Sequence, residues 1–343
     1  MQPAQVSRAF KAFTRNNYQI SIINQKEGNV LQELLISTLT QGVIYALVSY
    51  GVYITYSILD FPDLGVDSIF PMGAAITAVL LTAGMNPWLT LPISILLGAL
   101  AGLITGCIHV KLKVRNLLSG IITMTALFSI NLQIAGSNLT VPREVQTIFT
   151  SGPVMALFGN LSLTSRKLII SAVLALLIKW ILDLYFKTKS GLLLRAVGDN
   201  PDLVTTLAQN RGTVKILGLM ISNSLVALGG CIVCHEQRSY SATMGTGQLV
   251  YGLAAVIIGV SLFRFYENTG LARFFRERQK LRWLGIVKGT TAVLAGSILY
   301  KLCIQIALSL DWFPTNMMKL VTAVLFLLVL ILSGQKGEEI IHA

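Results

Sequence analysis

Charge is scarce in this sequence: 12% of its 343 residues are Asp, Glu, Lys or Arg, against 54% hydrophobic. So small a charged fraction leaves too little polar surface to solvate a globule of this length and excludes a soluble domain. Cysteine numbers four, and Cys107, Cys231, Cys234 and Cys303 all fall within or at the ends of apolar runs. A small soft side chain packs readily there, so no disulfide framework is expected. Acidic residues are outnumbered 15 to 27 by Lys and Arg, a net charge of +12. In a soluble domain that excess would point to nucleic acid; here cytoplasmic loops facing anionic lipid headgroups account for it, and no nucleic-acid partner is expected. The chain also has no G-x-x-x-x-G-K-[ST] loop, so it does not hydrolyse ATP as a P-loop enzyme. The first thirty residues lack the apolar core and cleavage site of a secretory leader, so the first span is expected to act as the insertion signal.

What is present is a series of apolar runs close to the roughly 20 residues that cross about 30 Å of hydrocarbon, with a mean hydropathy of +0.69. This is the pattern of an all-α, polytopic helical membrane protein. Nine spans are expected, at 34–56, 65–83, 89–110, 117–135, 167–187, 213–235, 248–262, 288–309 and 315–333. Residues 1–30 are read as an unassigned tail, 31–335 as the transmembrane domain and 336–343 as a cytoplasmic tail. Basic residues concentrate in three connections, around Lys111 to Arg115, Lys187 to Lys215 and Arg264 to Lys288, which the positive-inside rule makes cytoplasmic. Counting back from Lys111 places the N-terminus outside, against the charge of Arg8, Lys11, Arg15 and Lys26. Either the tail is carried outside despite its charge, or residues 57–83 form a broken or re-entrant segment, as Pro62 and Pro71 favour.

That segment contains the stretch YSILDFPDLGVDSIFPMG, Tyr56 to Gly73, with three aspartates and no basic residue. The residues leave two readings open. Asp60 and Asp63 flank Pro62 as in an ordinary solvated turn, or they belong to a discontinuous helix lining a substrate path. In the second case Asp60 or Asp63, with Phe61, suits an ammonium group beside an apolar or aromatic side chain. Asp67 lines the path or caps the helix that follows. Lys301 lies well inside a span, where an ammonium faces either the path or the outer interface. The order LVSYG then MGAAI, at 47–51 and 72–76, matches LVALG then YGLAAV, at 225–229 and 251–256, as in two related halves. Gly252, Ala254, Ala255 and Gly259 are read as helix-packing positions. Cys231-Ile-Val-Cys234-His235 fits the C-x-x-C-H haem pattern, but it stands at the end of a span with three clustered donors, and neither a cofactor nor a metal is expected.

The connection from Lys187 to Lys215 carries helix-start and helix-stop signals: Asn200 at the N-cap, Pro201 at the first helical position, Asp202 in the first turn and Asn210-Arg211-Gly212 as the stop. They predict a short helix over 201–209 with Leu203 and Leu207 on one face. The run GLLLRAVGDNPDLVTTLAQN resembles the cytoplasmic coupling loop of permeases of the branched-chain amino acid and ribose type, the membrane subunits of ABC importers. Ser49 to Leu80 and Gly245 to Phe263 agree, and are similar to the subgroup described as tryptophan or tyrosine transport permeases. The resemblance spans roughly residues 34–333. It implies a path for a small solute, an amino acid and preferably an aromatic one. It further implies separate cytoplasmic ATP-binding subunits, an extracytoplasmic substrate-binding lipoprotein, a second permease copy as a homodimer, and a place in the bacterial plasma membrane. Arg195, Asp199, Asn200, Pro201, Asp202 and Leu203 become the ATPase-coupling residues. The rival reading is an ion-coupled secondary transporter whose intramembrane aspartates bind the ion.

Overall fold

The computed structural model describes residues 32–199, 210–268, 289–309 and 318–334. Helix α1 runs Gln32–Ile58 and α2 Val66–Thr82. They are followed by α3 (Pro87–Val110), α4 (Asn116–Ala135), strand β1 (Asn138–Thr140), the short α5 (Gly152–Phe158), α6 (Leu163–Tyr185) and α7 (Lys189–Asp199). The remaining elements are α8 (Arg211–Gln237), β2 (Ser239–Ser241), α9 (Gln248–Asn268), α10 (Gly289–Ser309) and α11 (Met318–Gly334). Each of the nine apolar runs contains a helix among the described residues, and six of these helices are long and apolar enough to cross a membrane. The other three are shorter apolar helices: α2, and the apolar stretches Gln248–Phe263 of α9 and Lys319–Ile331 of α11. The predicted helix over 201–209 lies outside the described residues, as do both tails and the basic stretch 269–288.

Local chemistry sets the helix ends. Asn86 caps α3 by accepting the Trp88 N–H at 3.0 Å, with Pro87 at the first helical position. Asn210 caps α8 by accepting the Gly212 N–H at 2.9 Å. At its other end α8 stops on Arg238, which takes left-handed φ of 54° and donates from its guanidinium to the carbonyls of Pro142 and Val145, both at 2.8 Å. Just beyond, β1 and β2 pair antiparallel with Leu139 opposite Tyr240. Neither the strands nor α5 and α7 were expected from hydropathy, which reads apolar length and is blind to a three-residue tie or a short interfacial helix.

The centre of the bundle is α8, packed on α1, α2 and α3 through small residues. A Cβ at Gly98 or Gly102 of α3 would strike the carbonyls of Asn223 and Leu219, and one at Gly73 of α2 that of Ala227. Helix backbones therefore touch directly, the close packing that small residues permit in membranes. The outward faces of α3, α4, α6 and α11 expose large apolar side chains such as Leu96, Ile122, Trp180 and Leu327, as lipid contact requires.

Helices α1 and α8 run antiparallel, Gly51 lying beside Ser222 and Gly229 beside Val48. The Ile58 end of α1 meets Gly198 of α7, at the end of the bundle that carries the basic connections. Its opposite end stands beside Lys167 and Glu236, so counting back from Lys111 places residue 32 where the structure has it. The segment that made the count awkward is broken. Its helical part α2 begins level with the middle of α8 and runs to the far end only.

Candidate functional site

The break begins in α1. Its last six residues, Tyr53–Ile58, wind as a π-helix, and the chain leaves it with Asp60 at φ 49°, a conformation a non-glycine residue seldom takes. Pro62 cannot supply a helical N–H and restrains Phe61, so the chain stays non-helical until the turn at Leu64 and Gly65 that opens α2. Phe61 is fully buried and meets the His109 ring edge-on at 5.0 Å. Asp63 has no exposed surface. Its Oδ1 accepts the Gly65 N–H at 2.8 Å and its Oδ2 the Asn223 amide at 2.9 Å, half-way along α8. Gly120 of α4 leaves room against the same carboxylate. Asp60, by contrast, is exposed.

Asp67 sits in the first turn of α2, yet its carboxylate serves another helix. Oδ2 accepts the Gly247 N–H at 3.0 Å and Oδ1 the Leu249 N–H at 2.9 Å, the opening turn of α9. One carboxylate thus stands at two helix N-termini, where negative charge is favoured. From that point α2 runs to the far end, while α9 runs to the basic end, Gly252 lying against Val52 and Gly259 against Ala292. Two long antiparallel helices, each followed by a non-helical link and a shorter helix that starts at mid-depth, give the repeated order of the sequence a structural form. Replacing Asp67 with alanine is expected to free the start of α9, at a cost of about 1–3 kcal/mol for the buried Leu249 N–H. Hydrogen-exchange mass spectrometry over residues 247–252 checks this; unchanged protection would remove the clamp.

Lys301 is distant from these aspartates in sequence but close to the start of α9. It lines a cavity of about 510 Å³ together with Tyr45, Gln248, Tyr251, Tyr300 and Lys319, and its ammonium lies 5.0 Å above the Tyr45 ring. Gly247 lines the same cavity, so the backbone that Asp67 holds forms part of the wall. Sequence reading missed Asn223, Gln248 and the three tyrosines. A lone asparagine in the middle of an apolar span was the available signal.

On the basic side, Arg195 is exposed and its guanidinium lies 5.0 Å from the Phe186 ring. Leu194 and Val197 on the same helix α7 are buried. A Cβ at Gly198 would strike the carbonyl of Ile58, so α7 rests on the π-helical end of α1. Asn200, Pro201, Asp202 and Leu203 lie outside the described residues, and Asp199 is the last residue of α7. The Cys231 and His235 side chains are buried within the bundle, His235 Nε2 being 2.8 Å from the Thr90 hydroxyl. Among the described residues no three His, Cys, Asp or Glu side chains are placed to hold a metal ion.

Apolar helices around a polar break at mid-depth define a multi-pass helical membrane protein. Residues 34–330 match the family model described as branched-chain amino acid transport system / permease component, and the chain belongs to that family. It is 38% identical over 293 residues to a tyrosine transport system permease protein of Clostridioides difficile, covering 85% of this chain and 89% of the relative. It is 25% identical over 250 residues to a ribose import permease protein of Haemophilus influenzae, covering 70% and 72%. A nucleoside ABC transporter permease protein of Lactococcus lactis is 31% identical over 216 residues, covering 57% of this chain and 66% of the relative. No solved structure matches the chain. The family is of the ABC type, whose permeases are transport components rather than enzymes, and it implies ATP-binding subunits and a substrate-binding protein as partners.

Proposed function

We propose that this protein is the permease subunit of an ATP-binding-cassette importer of the bacterial plasma membrane, pairing with a second copy to form the path for an amino acid, an aromatic one first. The observation that carries the reading is the meeting of α2 and α9 at Asp67. A channel through nine spans needs irregular backbone where it lines the path, and broken helices starting at mid-depth supply it. The similarity to a tyrosine transport system permease favours an aromatic cargo. Of the path candidates Asp60, Phe61, Asp63, Asp67 and Lys301, the cargo meets Lys301, while Phe61, Asp63 and Asp67 shape the walls and Asp60 lies at the bend. ATP is hydrolysed by separate subunits docked on the connection that holds Arg195, Asp199, Asn200, Pro201, Asp202 and Leu203. Movement there passes through α7 to Ile58, and so to the link that carries Asp63.

The test is a pull-down of the tagged full-length chain from detergent-solubilised membranes, with and without residues 199–202 replaced by Gly-Ser. An ATPase recovered with the wild type and lost with the variant supports the reading. Uptake driven by a proton gradient with no ATPase in either sample sinks it in favour of an ion-coupled transporter.

A further inference from the structure

The cavity beside the start of α9 has a composition that the broken helices do not explain. One wall is a row of three tyrosine rings. Tyr45 and Tyr251 lie with centroids 5.0 Å apart at 43°, and Tyr251 and Tyr300 5.1 Å apart at 60°. The row is rigid: the Tyr251 hydroxyl donates to the Ser297 carbonyl at 2.9 Å and the Tyr300 hydroxyl to the Thr322 carbonyl at 3.1 Å. Two cations line the same space, Lys301 and Lys319. Neither is in an ion pair among the described residues, where the salt bridges are Lys167 with Glu236 and Lys179 with Asp183. Glu236 is itself held by Lys167 at 3.1 Å. A half-buried ammonium without a carboxylate is costly in an apolar bundle, and an anionic ligand relieves that cost.

Gln248 completes the set. Its amide nitrogen donates to the Met244 carbonyl at 3.1 Å and its side chain lies beside the Tyr45 hydroxyl, yet its Oε1 is buried and accepts no hydrogen bond among the described residues. An acceptor left over in the protein is one that a bound donor can satisfy. We infer that this cavity is the station for an aromatic amino acid: Lys301 binds the α-carboxylate, the Gln248 amide turns to bring its buried Oε1 to the α-ammonium, and the side-chain ring packs beside the row formed by Tyr45 and Tyr251. The volume of about 510 Å³ falls in the range of small-molecule sites, roughly 300–1,000 Å³. Offset or tilted ring pairs at these separations are attractive, and the Lys301 ammonium already held over Tyr45 is preorganised for the carboxylate.

The assignment rests on the amino-acid permease reading and names the residues that recognise its cargo. The full-length chain in nanodiscs of phosphatidylcholine, which keeps anionic headgroups out of the cavity, is titrated with radiolabelled L-tyrosine and with tyramine, its analogue without the carboxylate. Lys301→Met is expected to weaken tyrosine binding about tenfold or more, the scale of one charge-assisted contact, and tyramine binding at most about twofold. Lys301→Arg keeps the cation and is expected to restore tyrosine binding to within about threefold of wild type, which also separates loss of charge from loss of fold. Gln248→Leu is expected to weaken both ligands, since both carry the ammonium. Equal tyrosine affinity in wild type and Lys301→Met, or equal losses for tyrosine and tyramine, overturns the site. Wild type that binds no aromatic amino acid but still retains an ATPase in the pull-down overturns the site and leaves the permease assignment standing.

Discussion

Substituting leucine for Gly73 is expected to abolish recovery of folded protein. A Cβ at this position meets the carbonyl oxygen of Ala227, with the carbonyl carbon at 2.7 Å and Cα at 2.9 Å. These are backbone atoms of α8, the helix on which the bundle is assembled, so no side-chain rotation relieves the overlap. Gly230 makes the reciprocal approach to the Phe70 carbonyl of α2. Overpacking a core costs about 1–3 kcal/mol even where side chains can give way. Where two helix backbones must separate, the cost approaches a whole stability of about 5–15 kcal/mol. Fluorescence-detected size-exclusion chromatography of the detergent extract reads this directly. Gly152→Ala is the control, since a Cβ there meets nothing within 4 Å. A monodisperse Gly73→Leu peak matching the wild type would refute the backbone-contact account.

The second large effect is expected at Asp63. Removing its carboxylate in Asp63→Ala leaves the Gly65 N–H and the Asn223 amide without their acceptor, in a place with no exposed surface. Each orphaned buried donor costs about 1–3 kcal/mol. The non-helical link between α1 and α2 then loses both of the bonds by which Asp63 fixes it, and uptake is expected to fall to background. Asp63→Asn retains a single carbonyl oxygen as acceptor and is expected to lie between the two. Thermal unfolding in detergent and uptake in whole cells give the two readouts. If Asp63→Ala unfolds and transports as wild type does, the residue neither holds the link nor shapes the path.

The apolar helices were legible because apolar length and basic loops leave their mark on the sequence: α3, α4, α6 and α8 lie where hydropathy placed them, and of the nine spans expected six are long enough to cross a membrane. The break between Tyr56 and Gly73 was legible for a different reason. Two prolines and three acids among apolar residues cannot continue a lipid-facing helix. The direction in which Asp63 and Asp67 point was not legible. Asp67 could be read as a cap because Asp favours helix starts, but its partners Gly247 and Leu249 are far along the chain, and only tertiary packing brings them near. Tyr45, Gln248, Tyr251 and Tyr300 escaped notice on the same ground. Each is unremarkable within its own helix, and the cavity exists only where α1, α9, α10 and α11 converge.

The span of chain between Asp67 and its partners also sets an order of events during biosynthesis. The bond from Gly247 to Asp67 closes 180 residues of chain. At about 5–20 residues per second, the ribosome needs on the order of 10–40 s to deliver α9 after α2 has been made. Through that interval the Asp67 carboxylate has no α9 to hold, and α2 has only its partners from the first half of the chain, such as Asn131 of α4, which donates to the Ser68 carbonyl at 2.9 Å. A nascent chain that ends before Gly247 therefore holds a complete first half whose Asp67 acceptor is still unfilled by Gly247 and Leu249.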